Sequence, residues 1–208
     1  VGDIASGLPI NIEQVVRMAL VLTSGPAVEP VTVAEAKAHL RVDATEEDTL
    51  IASLILTSRL HIEAALGLAL ITQSWRTLLD AWGAEAAIEL PLRPLQTVDA
   101  VRVLPAEGAA VVIAPTSYVV DTASAPPRLE RTGMIWPHPG KVANGIEIDF
   151  TAGFGDAAAD VPAPLRQALL LLVAHWYERR EPIEVGSAET AVPGSVSELL
   201  APFRMRRL

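Results

Sequence analysis

Thr45-Glu-Glu-Asp-Thr-Leu-Ile-Ala-Ser-Leu-Ile-Leu-Thr-Ser-Arg-Leu-His-Ile-Glu-Ala-Ala-Leu-Gly67 decides how the rest of the chain is read. Leu50, Ile51, Leu54, Ile55, Ser58, Ile62, Ala65 and Leu66 recur at helical spacing. Thr45 to Asp48 reads as the cap, with three acids at the positive end of the helix dipole. Gly67 is the expected terminator, since glycine enters the left-handed conformation at a helix end without steric cost. From residue 70 to 152 the period changes from about 3.6 to two. The spacing predicts short strands at Ile71–Leu79, Ala87–Leu90, Val98–Leu104, Ala110–Ile113, Tyr118–Asp121, Arg128–Glu130 and Gly145–Phe150. Prolines and glycines between them, among them Pro91, Pro105, Gly108, Pro115 and Pro139, mark turns. Such a run reads as an antiparallel sheet or small sandwich. Ile146, Ile148 and Phe150 alternate with Glu147 and Asp149, which makes that strand half-buried.

Helical text returns on both sides of the strands. Upstream, Thr32-Val-Ala-Glu35 is a capping box. It predicts a short helix to about Arg41, with Val33, Ala36 and Leu40 on one face. Downstream, Pro162 and Pro164 open a helix over Leu165–Glu181, where their missing N–H groups cost nothing. Ala168-Leu-Leu-Leu-Leu-Val-Ala174 is apolar around most of its circumference. That places one face in a core and another against a second subunit. The fold class is therefore α+β: a bundle of three main helices, a β-rich antiparallel insertion over 70–152, and an extended C-terminal tail.

The ends read differently. Residues 1–30 form an N-terminal arm, with Gly25-Pro26 and Pro30 placing a loop at 23–30. Residues 1–17 read equally as an extension upstream of a start at Met18 or as an ordered arm, and lack the pattern of a signal peptide. Residues 31–181 hold the main domain and 182–194 read as a linker. Ser195-Val-Ser-Glu198 then repeats the capping pattern, followed by Leu199, Leu200, Phe203 and Met205 among Arg204, Arg206 and Arg207. A tail this short needs a surface to dock on.

Composition narrows the function classes. The chain has 208 residues, 50% of them hydrophobic and 20% charged, which excludes global disorder. It has no cysteine, so disulfides, thiolate metal sites and cysteine nucleophiles are excluded. A net charge of −9 is the opposite of what a protein gripping nucleic acid over a wide surface shows. Mean hydropathy is +0.35, yet no uncharged apolar run reaches the ~18 residues of a membrane span. Surplus apolar surface in such a chain points to a subunit interface.

No chemical motif stands out. His39, His61, His138 and His175 include no pair spaced to share a metal on one helix face, and His175 reads as a core residue beside Trp176 and Tyr177. Glu46, Glu47 and Asp48 could hold a cation but are explained as a capping turn. Gly153-Phe-Gly155 reads as a strand-to-helix turn, not a phosphate loop. Two further readings stay open: an enzyme with paired carboxylates on the β-region, and a β-rich binding module that grips a ligand through Trp75, Trp82 or Trp136.

Four segments together carry a resemblance. Val31-Thr-Val-Ala-Glu-Ala-Lys-Ala-His-Leu-Arg-Val-Asp43 is followed by Glu46-Glu-Asp-Thr-Leu-Ile-Ala-Ser-Leu-Ile55. Next comes Gly67-Leu-Ala-Leu-Ile-Thr-Gln-Ser-Trp75. Phe150-Thr-Ala-Gly-Phe-Gly155 and Val161-Pro-Ala-Pro-Leu-Arg-Gln-Ala-Leu-Leu-Leu-Leu-Val-Ala-His-Trp-Tyr-Glu178 form the third. Glu198-Leu-Leu-Ala-Pro-Phe-Arg204 is the last. In this order, over about residues 30–207, they resemble the head–tail connector (adaptor, or head-completion) proteins of long-tailed phages, prophages and gene transfer agents.

The resemblance implies a structural protein of the virion neck, assembled in the host cytoplasm, with no enzymatic activity, cofactor or metal. It implies a ring of about twelve copies beneath the portal protein that extends the DNA channel. The next neck protein, a stopper or tail terminator, would bind the ring, and DNA would pass without sequence-specific contact or any membrane. A different neck or tail-completion protein is the alternative within the same machine. Carried onto this chain, Leu199, Leu200, Phe203, Arg204, Met205, Arg206 and Arg207 would dock on the portal. Leu54, Leu169, Leu172 and Trp176 would contact the neighbouring subunit, and Glu46, Glu47 and Asp48 would line an acidic channel.

Overall fold

The helix expected over 45–67 is present as α2 (Asp48–Leu66), and Gly67 ends it in the left-handed conformation at φ 62°. The computed structural model describes residues 18–83, 87–133, 136–179 and 193–205. Around α2 lie β1 (Met18–Ser24), α1 (Val33–Leu40), β2 (Gln73–Leu79), β3 (Ala87–Glu89), β4 (Leu95–Val103) and β5 (Val111–Val112). Then follow β6 (Tyr118–Asp121), β7 (Arg128–Arg131), β8 (Ile146–Ala152), α3 (Ala163–Glu178) and α4 (Gly194–Leu200). Among the described residues the fold is thus α+β with four α-helices and two antiparallel sheets.

The Thr32 box forms as read. Thr32 Oγ1 accepts from the Glu35 N–H at 3.1 Å, and Glu35 accepts from the Thr32 N–H at 2.8 Å. The expected cap at Thr45 does not form. Glu47 occupies the N-cap of α2 without a side-chain cap, and Thr45 accepts from the Asp48 N–H in a preceding turn. Glu47 instead accepts a hydrogen bond from the Tyr177 hydroxyl, and Asp48 pairs with Lys37.

The larger sheet has the order β1-β2-β8-β4-β5, and the smaller has β3-β7-β6. Central β8 shows the expected alternation: Ile146, Ile148 and Phe150 are buried, while Glu147 and Asp149 are half-exposed. On that polar face Arg76 of β2 lies opposite Asp149, and Arg102 of β4 lies opposite Glu147. These four side chains form an ion cluster across three strands. Within the expected arm over residues 1–30, β1 shows that part of it belongs to the sheet. Residues 18–24 are an edge strand paired along β2, from Met18 opposite Leu79 to Ser24 opposite Ser74.

Two apolar cores meet at a seam. Ile51, Ile55, Ile62, Leu165, Leu169, Leu172, Val196 and Leu200 belong to the helical core, and Val101, Leu129, Trp136, Ile146 and Phe150 to the β core. Residues 68–71 run between them: Leu68, Leu70 and Ile71 face the helices, and Ala69 faces the strands. Backbone bonds close the seam, with the Ala69 N–H on the Arg93 carbonyl at 2.8 Å and the Gly153 N–H on the Pro94 carbonyl at 2.9 Å. Helix α2 has the length and hydropathy to cross a bilayer. Its buried Ile51, Ile55, Ile62 and Leu66 pack on α3 and neighbouring residues, which makes it a core helix.

The C-terminal segment also differs from expectation. Pro193 is extended (φ −50°, ψ 140°) and stands at the N-cap of α4, so the helix begins at Gly194 and Ser195 is already inside it. The surface on which this segment docks is its own domain: Val196 and Leu200 are buried against α3.

Candidate functional site

Leu200 is buried in the helical core, and Leu199 and Phe203 pack partly against it. Arg93 Nη2 donates to the carbonyls of both Leu66, at 2.9 Å, and Phe203, at 2.8 Å, which pins the end of the segment to the end of α2. Leu200 therefore has no surface left for a portal, a correction that follows from the apolar face of α4 finding α3 within its own chain. Arg204 and Met205 stay exposed. Arg206, Arg207 and most of the 182–194 linker lie outside the described residues, as do residues 1–17.

The subunit-interface residues divide. Leu169 and Leu172 are fully buried inside the chain, so they offer nothing to a neighbour. Helix α3 uses that face against α2 and α4 at once. Leu54 and Trp176 are half-buried and retain surface, Trp176 meeting His61 edge-on at 5.7 Å. Of the acidic trio, Glu46 is exposed, Glu47 is held by Tyr177, and Asp48 is 2.7 Å from Lys37 Nζ.

Trp75, Trp82 and Trp136 belong to the β core. Trp136 is buried and packs edge-on against Trp82 at 4.8 Å and Tyr118 at 6.1 Å. Trp82 Nε1 donates to the Pro137 carbonyl at 2.8 Å. Edge-on rings packed on each other leave no stacking platform for a ligand at Trp82 and Trp136, while Trp75 lines the groove between β1 and α2 without a second ring beside it among the described residues.

The concavities hold no catalytic arrangement. A depression of about 580 Å³ beside α1 is lined by Lys37, Arg41, Asp43 and Asp48, with its central charges already paired. A second of about 360 Å³ is lined by Ser24, Thr72, Ser74 and Asp156. A third, of about 250 Å³, lies between β1 and α2 and is lined mainly by Leu20, Leu22, Leu60, Ala64 and Leu92. Its base carries the buried pair Arg59–Glu63, where Glu63 accepts from Arg59, Gln73 and the Leu70 N–H. No group of His, Asp and Glu able to hold a metal occurs among the described residues. Perturbed titrations have structural causes. Hydrogen bonds from Arg76, with further help from Arg102, hold Asp149 below the usual carboxylate range. Ser124 hydrogen bonds hold Asp121 at about 2. Both carboxylates are tied into sheet and turn, not aimed into a cleft.

What remains distinctive is surface. The outward side of α2, the exposed valines of β5 and the C-terminal Arg204-Met205 are features of an assembly component rather than of an enzyme. The first of these carries no signal of its own in the sequence, because an exposed uncharged helix face looks like a buried one until its partners are known.

Comparison with known proteins agrees with that character. The phage gp6-like head–tail connector protein family matches residues 30–104, which contain α1, α2 and β2 to β4. A chain of the neck of an empty gene transfer agent particle, computed with C6 symmetry, is 30% identical with a TM-score of 0.78, covering 91% of this chain and 97% of that one. A chain of the virion of a native gene transfer agent particle is 32% identical with a TM-score of 0.77, covering 91% and 96%. One of the neck of a native particle, computed with C12 symmetry, is 33% identical with a TM-score of 0.72, covering 90% and 96%. No curated protein matches the chain. With 30–33% identity over 96–97% of chains from gene transfer agent particles, and the family's own pattern spanning α1, α2 and the strands that follow, this chain belongs to the gp6-like head–tail connector family and is a structural, non-enzymatic protein.

Proposed function

We propose that this chain forms a ring beneath the portal in the neck of a tailed phage or phage-like particle. The ring extends the DNA channel and receives the next neck or tail protein. The observation that carries this reading is the match over 90% or more of the chain to proteins of gene transfer agent necks. The C6 and C12 symmetries of those necks support a ring, of about twelve copies.

Three features of the chain fit the role. A net charge of −9 disfavours the counterion release that binds DNA, so DNA slides past an acidic wall. Exposed Glu46 at the entry to α2 is the best placed of the acidic trio to contribute, with Glu47 and Asp48 beside it. The exposed Arg204-Met205 end of the C-terminal segment, continued by Arg206 and Arg207, is the portal-facing element, held in position by α4. Leu54 and Trp176 contribute to contacts between copies.

Particles produced without this chain test the proposal. The expected product is DNA-filled heads that carry portals and no tails, restored to tailed particles when the chain is supplied. Tailed, functional particles in its absence overturn the reading.

A further inference from the structure

From Thr49 to Ala65, none of the exposed residues of α2 is Asp, Glu, Lys or Arg. Arg59 and Glu63, the charged pair within that span, are turned inward and buried. The exposed arc carries Leu50, Leu56 and Leu60, which are 37%, 42% and 52% exposed. Two of its hydroxyls donate back to the helix. Ser53 Oγ donates to the Leu50 carbonyl at 2.7 Å and Thr57 Oγ1 to the Ser53 carbonyl at 2.8 Å. Their donors are thus satisfied by the helix itself. A helix face of almost five turns with His61 as its one exposed titratable side chain is foreign to a solvated surface, which normally mixes charges of both signs.

This face continues into the groove of about 250 Å³ beside it, where Leu60 and Ala64 of α2 face Leu20 and Leu22 of β1. The α2 face and the β1 edge therefore make one apolar flank. At the opposite edge of the same five-stranded sheet stands β5, with Val111 and Val112 exposed by 47% and 63%. The order β1-β2-β8-β4-β5 separates the two edges by four strand spacings, about 19 Å.

A closed ring of identical subunits needs two different, complementary surfaces on opposite sides of each copy. We infer that the outer face of α2, with the adjoining β1 groove, receives the β5 edge of the next copy of this chain, with Val111 and Val112 seated against Leu56, Leu60 and Leu22. The inference rests on the ring reading above and replaces the buried Leu169 and Leu172 as its lateral contact.

The chain has no native cysteine, so introduced ones report cleanly. Particles are assembled with chains bearing Leu60→Cys, Val112→Cys or both, and necks are treated with a short bis-maleimide. The expected result is a ladder of linked copies for the double variant and no linked copies for either single variant. Linked dimers in a single variant mean like-to-like pairing and overturn the inference. So does capture of portal or tail protein by Cys at position 60, or an absence of links in particles whose necks contain the chain. In those cases the ring reading survives. If the chain is missing from the necks altogether, the ring reading itself fails and takes the inference with it. A mixture of the two single variants adds a check, since it should give linked pairs that neither gives alone.

Discussion

Arg59 and Glu63 stand one turn apart on α2, with Nη1 2.7 Å from Oε2, and both are buried where the helices meet the sheet. Arg59 Nε also reaches Glu29 at 2.8 Å, ahead of α1. The other Glu63 oxygen accepts from the Leu70 N–H and from Gln73 Nε2 at the start of β2. One carboxylate thus ties α2 to the first strand after it, and through Arg59 to the loop before α1. These two charged residues break the apolar text of α2 because the seam needs them.

Replacing Glu63 with Ala leaves Arg59 Nη1, the Leu70 N–H and the Gln73 amide without that acceptor, with Glu29 the partner Arg59 keeps. Removing one member of a buried pair costs about 3–5 kcal/mol. Urea unfolding of Glu63→Ala should show a loss of that order. Glu29→Ala, which removes the half-exposed second partner of Arg59, should lose less, about 1 kcal/mol. Equal losses for the two variants would contradict the assignment of the seam to Glu63.

The C-terminal segment is part of the fold. Leu200→Ala should destabilise the chain by about 2–5 kcal/mol, the cost of truncating a buried leucine. Arg93→Ala removes the bonds to the Leu66 and Phe203 carbonyls. Hydrogen exchange should then quicken over 194–205 while β8 stays protected. Deletion of 195–208 is for the same reason a poor probe of portal binding, because it strips Val196 and Leu200 from the core. Met205→Glu with Arg204→Glu leaves the core alone, and should weaken capture by purified portal rings without lowering the unfolding midpoint. Unweakened capture would remove these residues from the portal contact.

Asp149 makes stability depend on pH in a defined direction. Its folded-state pKa is lowered, chiefly by the Arg76 hydrogen bond. Folding therefore releases a proton wherever the unfolded Asp, with a pKa of about 3.9, still holds one. The stabilisation is present above that value and is lost as pH falls through the lowered folded-state pKa. Stability of the native chain should drop on acidification below about pH 4, and Asp149→Asn should flatten part of that drop. An unchanged acid limb in the variant would exclude the ion cluster as its cause.

Gly153 sits where β8 leaves the sheet toward α3, with φ 142°. A Cβ there would come within 2.6 Å of the Thr72 nitrogen and 2.7 Å of the Ile71 carbonyl group. Gly153→Ala should therefore lower the thermal midpoint sharply, both from backbone strain and from pushing the seam apart. Gly108→Ala shares a positive φ but meets nothing within 4 Å, so it should cost less.

Much of this fold is legible in the sequence because its signals are local. The Thr32–Glu35 box, the apolar stripe of α2, its Gly67 stop and the alternation of β8 each lie within one element. β1 escaped because Met18 to Ser24 does not alternate clearly, and its partner β2 lies some fifty residues on. The Thr45 and Ser195 capping patterns misled for a common reason. Such a pattern fixes a helix start only when no neighbour competes. Tyr177 and Lys37 hold the acids near Thr45, and Pro193 sets an earlier start before Ser195. Leu169 and Leu172 are ambiguous because apolarity on every side of a helix does not say which side is covered first, and Leu200 because an apolar side chain on a short segment does not say whether its own domain or a partner covers it. The outward face of α2 was invisible for the converse reason.

The most direct test is a density map of the intact particle at side-chain resolution. This chain should occupy a ring in the neck immediately below the portal, with Arg204 and Met205 turned toward the portal and α2 against the next copy. A map that places it in another ring, or finds no copy of it in the neck, would contradict the proposed role.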